Sequence, residues 1–410
     1  MIRNSSLCLS VLFNIVKSQI SSYKKTDESD NDGFSDFKKK NQLLHGLKTT
    51  FESFGGVFNK LAQLLSIDHY DINAKNYDTC KPLNADKTID FLKNEFHTNE
   101  SLNSIIESID FNVHKSGSIG QVHKAKLKNG DNIVIKVQYF GIEEQILSDL
   151  NLLNTIATFL FSFVDLSNAI KDINKKTIEE LDYINESKNQ KFIYDIWNTH
   201  EYIKIPEIIP EIISKRYLGM NFIDAESFQS FIQNSTQEEK NHIAYNIVKF
   251  TFTNIYKHRC LYSDVHCGNF LVKDKRILYV MDYGCLHYVD DDLLNYIKNL
   301  YLSFKHENPD LFYNSVYKIG FIDETISDES KAYMFEYMKL LNLPWITKNF
   351  HFTKDFVDKT THKNITLMRE WKVPHNLIYF NKIPFNLFSI LYSLNAECNF
   401  SDIFEELIEF

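Results

Sequence analysis

The 410-residue chain has few cysteines, and none of them are paired by spacing. Cys8, Cys80, Cys260, Cys267, Cys285 and Cys398 are scattered with no Cys-x-x-Cys, which excludes a disulfide framework and a zinc knuckle and points to a reducing compartment. His258, Cys260, His266 and Cys267 lie close together, but not at the spacing of a zinc site. Long apolar runs are missing as well. None reaches the ~18 residues that a bilayer span needs, and the longest, Leu7 to Val16 and Phe385 to Leu394, are interrupted by Ser or Asn. There is no excess of basic charge. Forty-five Lys and Arg against 54 Asp and Glu leave a net charge of -9, which argues against a nucleic-acid-binding surface. No internal repeat and no low-complexity domain is present. What remains, at 44% hydrophobic, is a chain long enough for one large or two medium domains with cores of their own.

The richest stretch runs from His258 to Gly284, HRCLYSDVHCGNFLVKDKRILYVMDYG. Asp264 is followed by Asn269 and then by Asp282, with two β-like apolar runs, Phe270-Leu271-Val272 and Ile277 to Met281, flanking the polar turn Lys273 to Arg276. A hairpin of that size returns Asp282 to the loop that carries Asp264 and Asn269, so three oxygen-bearing side chains converge. Mg2+ prefers oxygen ligands, and kinases hold it with an Asn and an Asp while another Asp orients the acceptor hydroxyl. Taken alone, Asp264 and Asn269 suit turn formation equally well, with Asp282-Tyr283-Gly284 an ordinary strand exit.

Upstream sequence weighs on that choice. Phe111 to Gln138 reads as strand, tight Gly-containing turn, strand, Asn129-Gly130 hairpin turn, strand. Gly117 and Gly120 sit before Val122 as in the last part of a kinase glycine-rich loop, while Lys115 occupies the place of its first glycine. In the third strand, Ile133-Val134-Ile135-Lys136-Val137, a single lysine stands among β-branched neighbours. Its ammonium is costly to bury unless an anion meets it, and the natural anions are ATP phosphates and a helix glutamate. An edge-strand lysine that blocks aggregation is the competing explanation.

Around this unit the chain reads as mostly helical. Residues 1 to 25 carry Arg3, Lys17, Lys24 and Lys25 and no acid, which suits a transit peptide or an ordinary first helix, and the acidic break TDESDNDG follows at Thr26 to Gly33. Gln42 to Ile67 has helical apolar spacing and contains Lys60-Leu61-Ala62-Gln63, and Thr88 to Ile109 reads as one or two further helices. Glu143 to Phe163 is expected to be helical, and Ile170 to Trp197 to form one long helix with Glu180, Asp182 and Glu186 as site candidates. Arg216 to Asp224 reads as a last strand into a hinge, and Thr236 to His258 as an amphipathic helix. After Gly284 the chain is helical and aromatic-rich, with Pro344-Trp345 and Pro374 as breaks. The expected organisation is a segment 1–33, a helical extension 34–110, an N-lobe 111–224 and a C-lobe 225–410.

Taken together, GSIGQVHKA, VIKVQYFGI, ELDYINESKN, PEIIPEIISKRYLGMNFIDA, SDVHCGN and MDYG resemble, in order, the motifs of the UbiB-like atypical kinases of coenzyme Q biosynthesis, from about residue 50 to about residue 400. KLAQ is similar to the family's Lys-x-Gly-Gln motif, with Ala62 in place of the glycine. Lys115-Ser116-Gly117-Ser118 stands where the family has a run of alanines. The resemblance implies an α+β, two-lobed protein-kinase-like fold with an N-terminal helical extension. It also implies ATP or ADP with Mg2+ as cofactors, and a kinase or ATPase serving quinone or other lipid metabolism.

Carried over by residue, it implies Lys136 on the α/β phosphates and paired with Glu186, Asp264 as the catalytic-loop aspartate, and Asn269 and Asp282 as metal ligands. Glu180 and Asp182 become partners of Lys60, while Lys60 and Gln63 fold over the site whose nucleotide loop is Ser116, Gly117, Ser118 and Gly120. Peripheral membrane or lipid contact, protein partners of lipid metabolism and a mitochondrial or other organellar location belong to the same expectation, with the cytoplasm as the alternative location. A small-molecule phosphotransferase of aminoglycoside or choline kinase type and a nucleotide-binding pseudokinase are the alternative functions.

Overall fold

In the computed structural model of the chain, the structure describes Thr50 and residues 85–160, 167–361, 365–368, 370–372, 374, 377 and 379–408. The expectations for residues 1–49 and 51–84, Lys60 and Gln63 among them, lie outside the described residues.

The first described helices, α1 (Ala85–Thr98) and α2 (Glu100–Ile105), lead directly into strand β1 (Ile106–Ile109). Helix was expected as far as Ile109. The chain turns to strand at Ile106 because β1 pairs antiparallel with the later strand Gly120–Leu127, a partner that local periodicity does not encode. The sheet continues with β2 (Lys115–Ser116), β3 (Gly120–Leu127) and β4 (Asn132–Gln138). Asn129-Gly130 makes the β3–β4 turn as expected. Asn129 Oδ1 accepts from the Asp131 amide at 3.0 Å, and Gly130 takes φ 97°, a region open to glycine at no steric cost.

Helices α3 (Ile142–Leu160), α4 (Ser167–Glu179) and α5 (Tyr183–Trp197) follow. The single helix expected over Ile170 to Trp197 is therefore two. Asp182 turns its carboxylate back to accept from the Ile184 amide at 2.9 Å and caps α5, while the Tyr183 amide donates to the Lys215 carbonyl at 3.1 Å. That carbonyl comes from a distant hairpin, so the break is tertiary in origin.

Strands β6 (Ile208–Ile213) and β7 (Tyr217–Asn221) complete this half, while β5 (Ile203–Lys204) and β8 (Glu226–Ser227) flank the later hairpin Phe270–Lys273 and Ile277–Val280 in a separate four-stranded sheet. The six-stranded sheet has the order β1-β3-β4-β7-β6, with β2 on β3. Its outer face shares a core with the helices before it: Leu92, Leu102 and Ile106 pack with Ile133, Ile135, Val137 and Ile212, all buried.

The second half begins with α6 (Phe228–Asn234) and α7 (Gln237–His258). Helix α7 opens on a capping box in which the Glu239 amide donates to Thr236 Oγ1 at 3.3 Å and the Thr236 amide donates to Glu239 Oε2 at 2.7 Å. It closes on Arg259, whose left-handed φ of 54° stops the helix. Strands β9 (Cys260–Tyr262), β10 (Phe270–Lys273), β11 (Ile277–Val280) and β12 (Leu286–Tyr288) come next. The expected hairpin is β10–β11, in register Phe270↔Val280 to Lys273↔Ile277, with Asp274 and Lys275 both at positive φ in its turn.

The remaining elements are α8 (Asp291–Lys305), α9 (Pro309–Lys318), α10 (Asp328–Ile346), β13 (Phe350–His351), α11 (Lys354–Thr361), α12 (Ile365–Met368), α13 (Lys382–Ser393), β14 (Glu397–Cys398) and α14 (Ser401–Ile408). Pro344 lies inside the last turn of α10 and does not end it before Trp345. Trp345 packs there against Phe252, Phe388 and Phe404, with ring centroids 5.2, 5.9 and 5.5 Å away. Burial of that ring outweighs the lost backbone hydrogen bond. One apolar core joins α7, the β10–β11 hairpin and these helices into the second lobe. The observed architecture is the expected α+β, two-lobed kinase-like one.

Candidate active site

The site is built where the two halves face each other. Lys136 stands on β4 with Val122 of β3 and Leu218 of β7 directly opposite, and Val134 lies two residues back on the same face. Val134, Leu218 and Met220 are buried there with Tyr183. That face forms an apolar ceiling around Lys136, with Lys115 and Lys124 on the same face nearer its edge.

Lys136 Nζ donates to Glu186 Oε1 of α5 at 2.6 Å and to Asp282 Oδ2, just past β11, at 3.1 Å. It also lies 4.9 Å from the centroid of the Tyr183 ring. The Glu186 side chain is 4% exposed, that of Lys136 18% and that of Asp282 37%, so the cluster is sealed on the helix side and open on the hairpin side. Burial opposes the charge on Lys136, yet Asp282 and Glu186 outweigh it and hold the ammonium well above its ordinary pKa. Burial also works against ionisation of Asp282, but Lys136 and the Gly284 amide, which donates to Asp282 Oδ1 at 3.0 Å, hold it below the usual carboxylate value. For Glu186 burial wins and, with the charge of Asp282 beside it, pushes the carboxyl up against the pull of Lys136. One cation thus faces two carboxylates, and Glu186 is the more strained of the two.

The loop below the hairpin is held from within. Asn269 Nδ2 donates to Asp264 Oδ2 at 2.8 Å and to the Asp264 carbonyl at 3.0 Å. This leaves Asn269 Oδ1 as an acceptor. The Met281 amide donates to the Asn269 carbonyl at 3.0 Å, which ties the approach to Asp282 to the same loop. His266 Nδ1 accepts from the Gly268 amide at 3.0 Å, so its Nε2 carries the proton that faces Asp264 Oδ2 at 3.2 Å. Burial would lower the pKa of His266, but the hydrogen bond and charge of Asp264 raise it above the ordinary value. Asp264 itself is half-exposed and open to an incoming group.

Residues 116–120 form a tight turn above this. The Gly117 amide donates to the Gly120 carbonyl at 2.7 Å, Tyr139 Oη donates to the Gly117 carbonyl at 3.2 Å, and Ser116 pairs with Gln121 while Ser118 is exposed. A Cβ on Gly120 would lie 2.4 Å from the Val137 carbonyl oxygen and 2.8 Å from Tyr183 Oη, so only glycine fits.

Of the residues expected from sequence, Lys136, Glu186 and Asp282 are in direct contact, and Asp264 and Asn269 are bonded to each other on the adjoining loop. Glu180 faces the segment that follows Asp282, accepting from Cys285 Sγ at 3.3 Å. Asp182 is already engaged as the α5 cap. Sequence reasoning missed Tyr183 under Lys136, although it sits three residues before Glu186 and so shares its helix face. It also missed Asn189, whose Nδ2 donates to the Tyr283 carbonyl at 3.0 Å and so ties α5 to the segment that carries Asp282, and the hold of His266 on Asp264. Asn269 Oδ1 and the Asp282 carboxylate, on segments joined by the Met281 amide, are oxygen donors of the kind that a hard divalent ion such as Mg2+ takes.

Comparison with known proteins gives the family and the fold. Residues 75–315 match the ABC1 atypical kinase-like domain. The chain is 24% identical over 306 residues to the atypical kinase COQ8, mitochondrial, of Saccharomyces cerevisiae, covering 72% of this chain and 61% of that protein. It is 25% identical over 276 residues to the probable serine/threonine-protein kinase abkA of Dictyostelium discoideum, covering 61% of this chain and 48% of that protein. It therefore spans about half to three-fifths of the length of these relatives. Among solved structures, that of Rv3197 with erythromycin from Mycobacterium tuberculosis superposes with a TM-score of 0.67 at 23% identity, covering 80% of this chain and 83% of that one, a likeness of fold. The motif resemblance read in the sequence is borne out, and with the domain match extending over more than half of its residues, the chain belongs to the ABC1 atypical kinase-like family.

Proposed function

We propose that this protein is a Mg2+-dependent atypical kinase or ATPase that binds ATP or ADP in the cleft between its lobes and serves quinone or other lipid metabolism. The observation that carries the proposal is the bridge from Lys136 to both Glu186 and Asp282, three side chains far apart in the chain that meet at one point. A lysine so placed, with a helix glutamate to orient it and a metal-loop aspartate beside it, has the parts that phosphoryl transfer uses.

In this reading Lys136 takes the α/β phosphates and Glu186 keeps its ammonium aimed at them. The turn Ser116 to Gly120 lies over the phosphates, and Val122, Val134 and Met220 supply the apolar ceiling for the base. Asn269 and Asp282 hold Mg2+, which when bound neutralises phosphate charge. Asp264, held by Asn269 and His266, accepts the proton of the attacking hydroxyl or water. The roles of Lys60 and Gln63 as a cover, and of Glu180 as a partner of Lys60, belong to the same proposal. Support for the metabolic setting and for an organellar location is the kinship with a relative named mitochondrial. Peripheral lipid contact fits that setting. Among the described residues no helix is long and apolar enough to cross a membrane.

The test is equilibrium binding with the purified chain. MgATP or MgADP at a hundredfold excess over its Kd stabilises a one-site binder by about 2.7 kcal/mol. That gain is expected to vanish with EDTA and in Asp282→Asn. Absence of any Mg-dependent binding of either nucleotide would overturn the reading.

A further inference from the structure

Lys115 opens β2 opposite Val122, which is itself opposite Lys136, so all three side chains share the face of the sheet that looks into the cleft. From there Lys115 Nζ crosses between the lobes and donates to the Gly268 carbonyl at 3.0 Å, within the loop that joins Asp264 to Asn269. Its charge reaches His266, the residue that holds Asp264, which puts the ammonium at the transfer end of the cleft and away from the hinge. Among the described residues no carboxylate lies within ion-pair distance of it, and its hydrogen-bond partner is a neutral carbonyl. An ionised phosphate oxygen adds Coulomb attraction to an ammonium that a neutral carbonyl does not offer. A phosphate oxygen brought within reach therefore displaces Gly268.

We infer that Lys115 is a terminal-phosphate-binding residue, resting on the Gly268 carbonyl until a nucleoside triphosphate fills the cleft. The inference depends on the nucleotide reading above and adds to it a second cation: Lys136 grips the inner phosphates and Lys115 the outermost one. A diphosphate is too short to reach Lys115 and leaves it on Gly268. Binding of the triphosphate thus carries two consequences that binding of the diphosphate does not. It exchanges a neutral acceptor of the Lys115 ammonium for an ionised one, and it frees the carbonyl next to Asn269 from its tie to the other lobe. The place of the first glycine in this loop is thereby used for discrimination between ATP and ADP.

Calorimetric titration of the wild type, Lys115→Met and Lys115→Arg with MgATP and with MgADP at fixed ionic strength tests this. In Lys115→Met, MgATP affinity is expected to fall about tenfold or more while MgADP affinity changes less than about threefold, and Lys115→Arg should restore most of the difference. Thermal unfolding of the apo proteins controls for folding, since Lys115 is exposed. Equal losses for both nucleotides, no loss for either, or equal tightening of both on removal of the tie would each overturn the assignment of Lys115 while leaving the nucleotide site standing. If the wild type itself binds neither nucleotide, the site reading fails and the assignment of Lys115 falls with it.

Discussion

The sharpest consequence of the Lys136 cluster concerns stability in the absence of any ligand. Lys136→Met removes the one cation between two carboxylates, one of them 4% exposed, and leaves them facing each other across a space fitted to an ammonium. Breaking a buried ion pair from one side costs about 3–5 kcal/mol, because the remaining charge has lost its partner. Adding Glu186→Gln to Lys136→Met removes the more buried of the stranded charges. The double variant should recover at least about 1.5 kcal/mol of that loss, within the range of coupling energies for residues in contact. Asp282→Asn alone should behave differently. It removes the excess negative charge, keeps an acceptor for the Gly284 amide and lies on the open side, so its stability should stay within about 1 kcal/mol of wild type. Its nucleotide-linked stabilisation should nevertheless disappear. Urea unfolding of the four proteins at neutral pH, with and without MgATP, measures all of this. A Lys136→Met variant within about 1 kcal/mol of wild type, or a double variant no more stable than Lys136→Met, would refute the electrostatic account of the cluster.

Further predictions follow from individual groups. His287, whose Nε2 lies 2.9 Å from Ser263 Oγ and whose ring stacks on Tyr379, has its pKa lowered to about 3 by burial first and then by Lys176 and Lys382. The folded state keeps it neutral while the unfolded chain binds a proton below about pH 6.5, so stability should fall as pH drops from there toward 3, by about 2 kcal/mol at pH 5 from this group. His287→Gln should remove that part of the acid sensitivity in pH-dependent unfolding curves. Gly120→Ala drives a Cβ into the Val137 carbonyl and should cost about 1–3 kcal/mol and weaken nucleotide binding, as read by melting and titration. Asp182→Asn retains a capping oxygen and should leave stability unchanged, whereas Asp182→Ala should lose about 1 kcal/mol. If Asp182→Asn nonetheless lowers nucleotide affinity, the Asp182 charge has the second role expected opposite Lys60.

Much of this could be read before any coordinates. The spacing of Asp264, Asn269 and Asp282 around two short apolar runs called for the β10–β11 hairpin, and the amphipathic pattern from Thr236 to His258 called for α7, because hairpin turns and helical periodicity act over a few residues. Lys136 among β-branched neighbours pointed to an anionic partner for the same local reason, the cost of an unpaired buried ammonium. Other features depended on distant chain. Ile106 to Ile109 becomes a strand because Ala125 to Leu127 offers an edge, and the helix expected through Ile170 to Trp197 is interrupted where Lys215 supplies a carbonyl to Tyr183. Pro344 stays inside α10 because the aromatic cluster around Trp345 rewards it.

The sequence by itself determined which chemistry is present: a lysine, carboxylates and an asparagine in an order and spacing suited to phosphoryl transfer, and helices and strands whose caps and turns are encoded locally. The family resemblance named Glu186 as the partner of Lys136, but only the tertiary structure brought the two to 2.6 Å, joined Asp282 to them and carried Lys115 to Gly268. Local rules fix how residues a few positions apart face one another. Which of several nearby carboxylates a cation meets is set by how two separately encoded lobes close on each other.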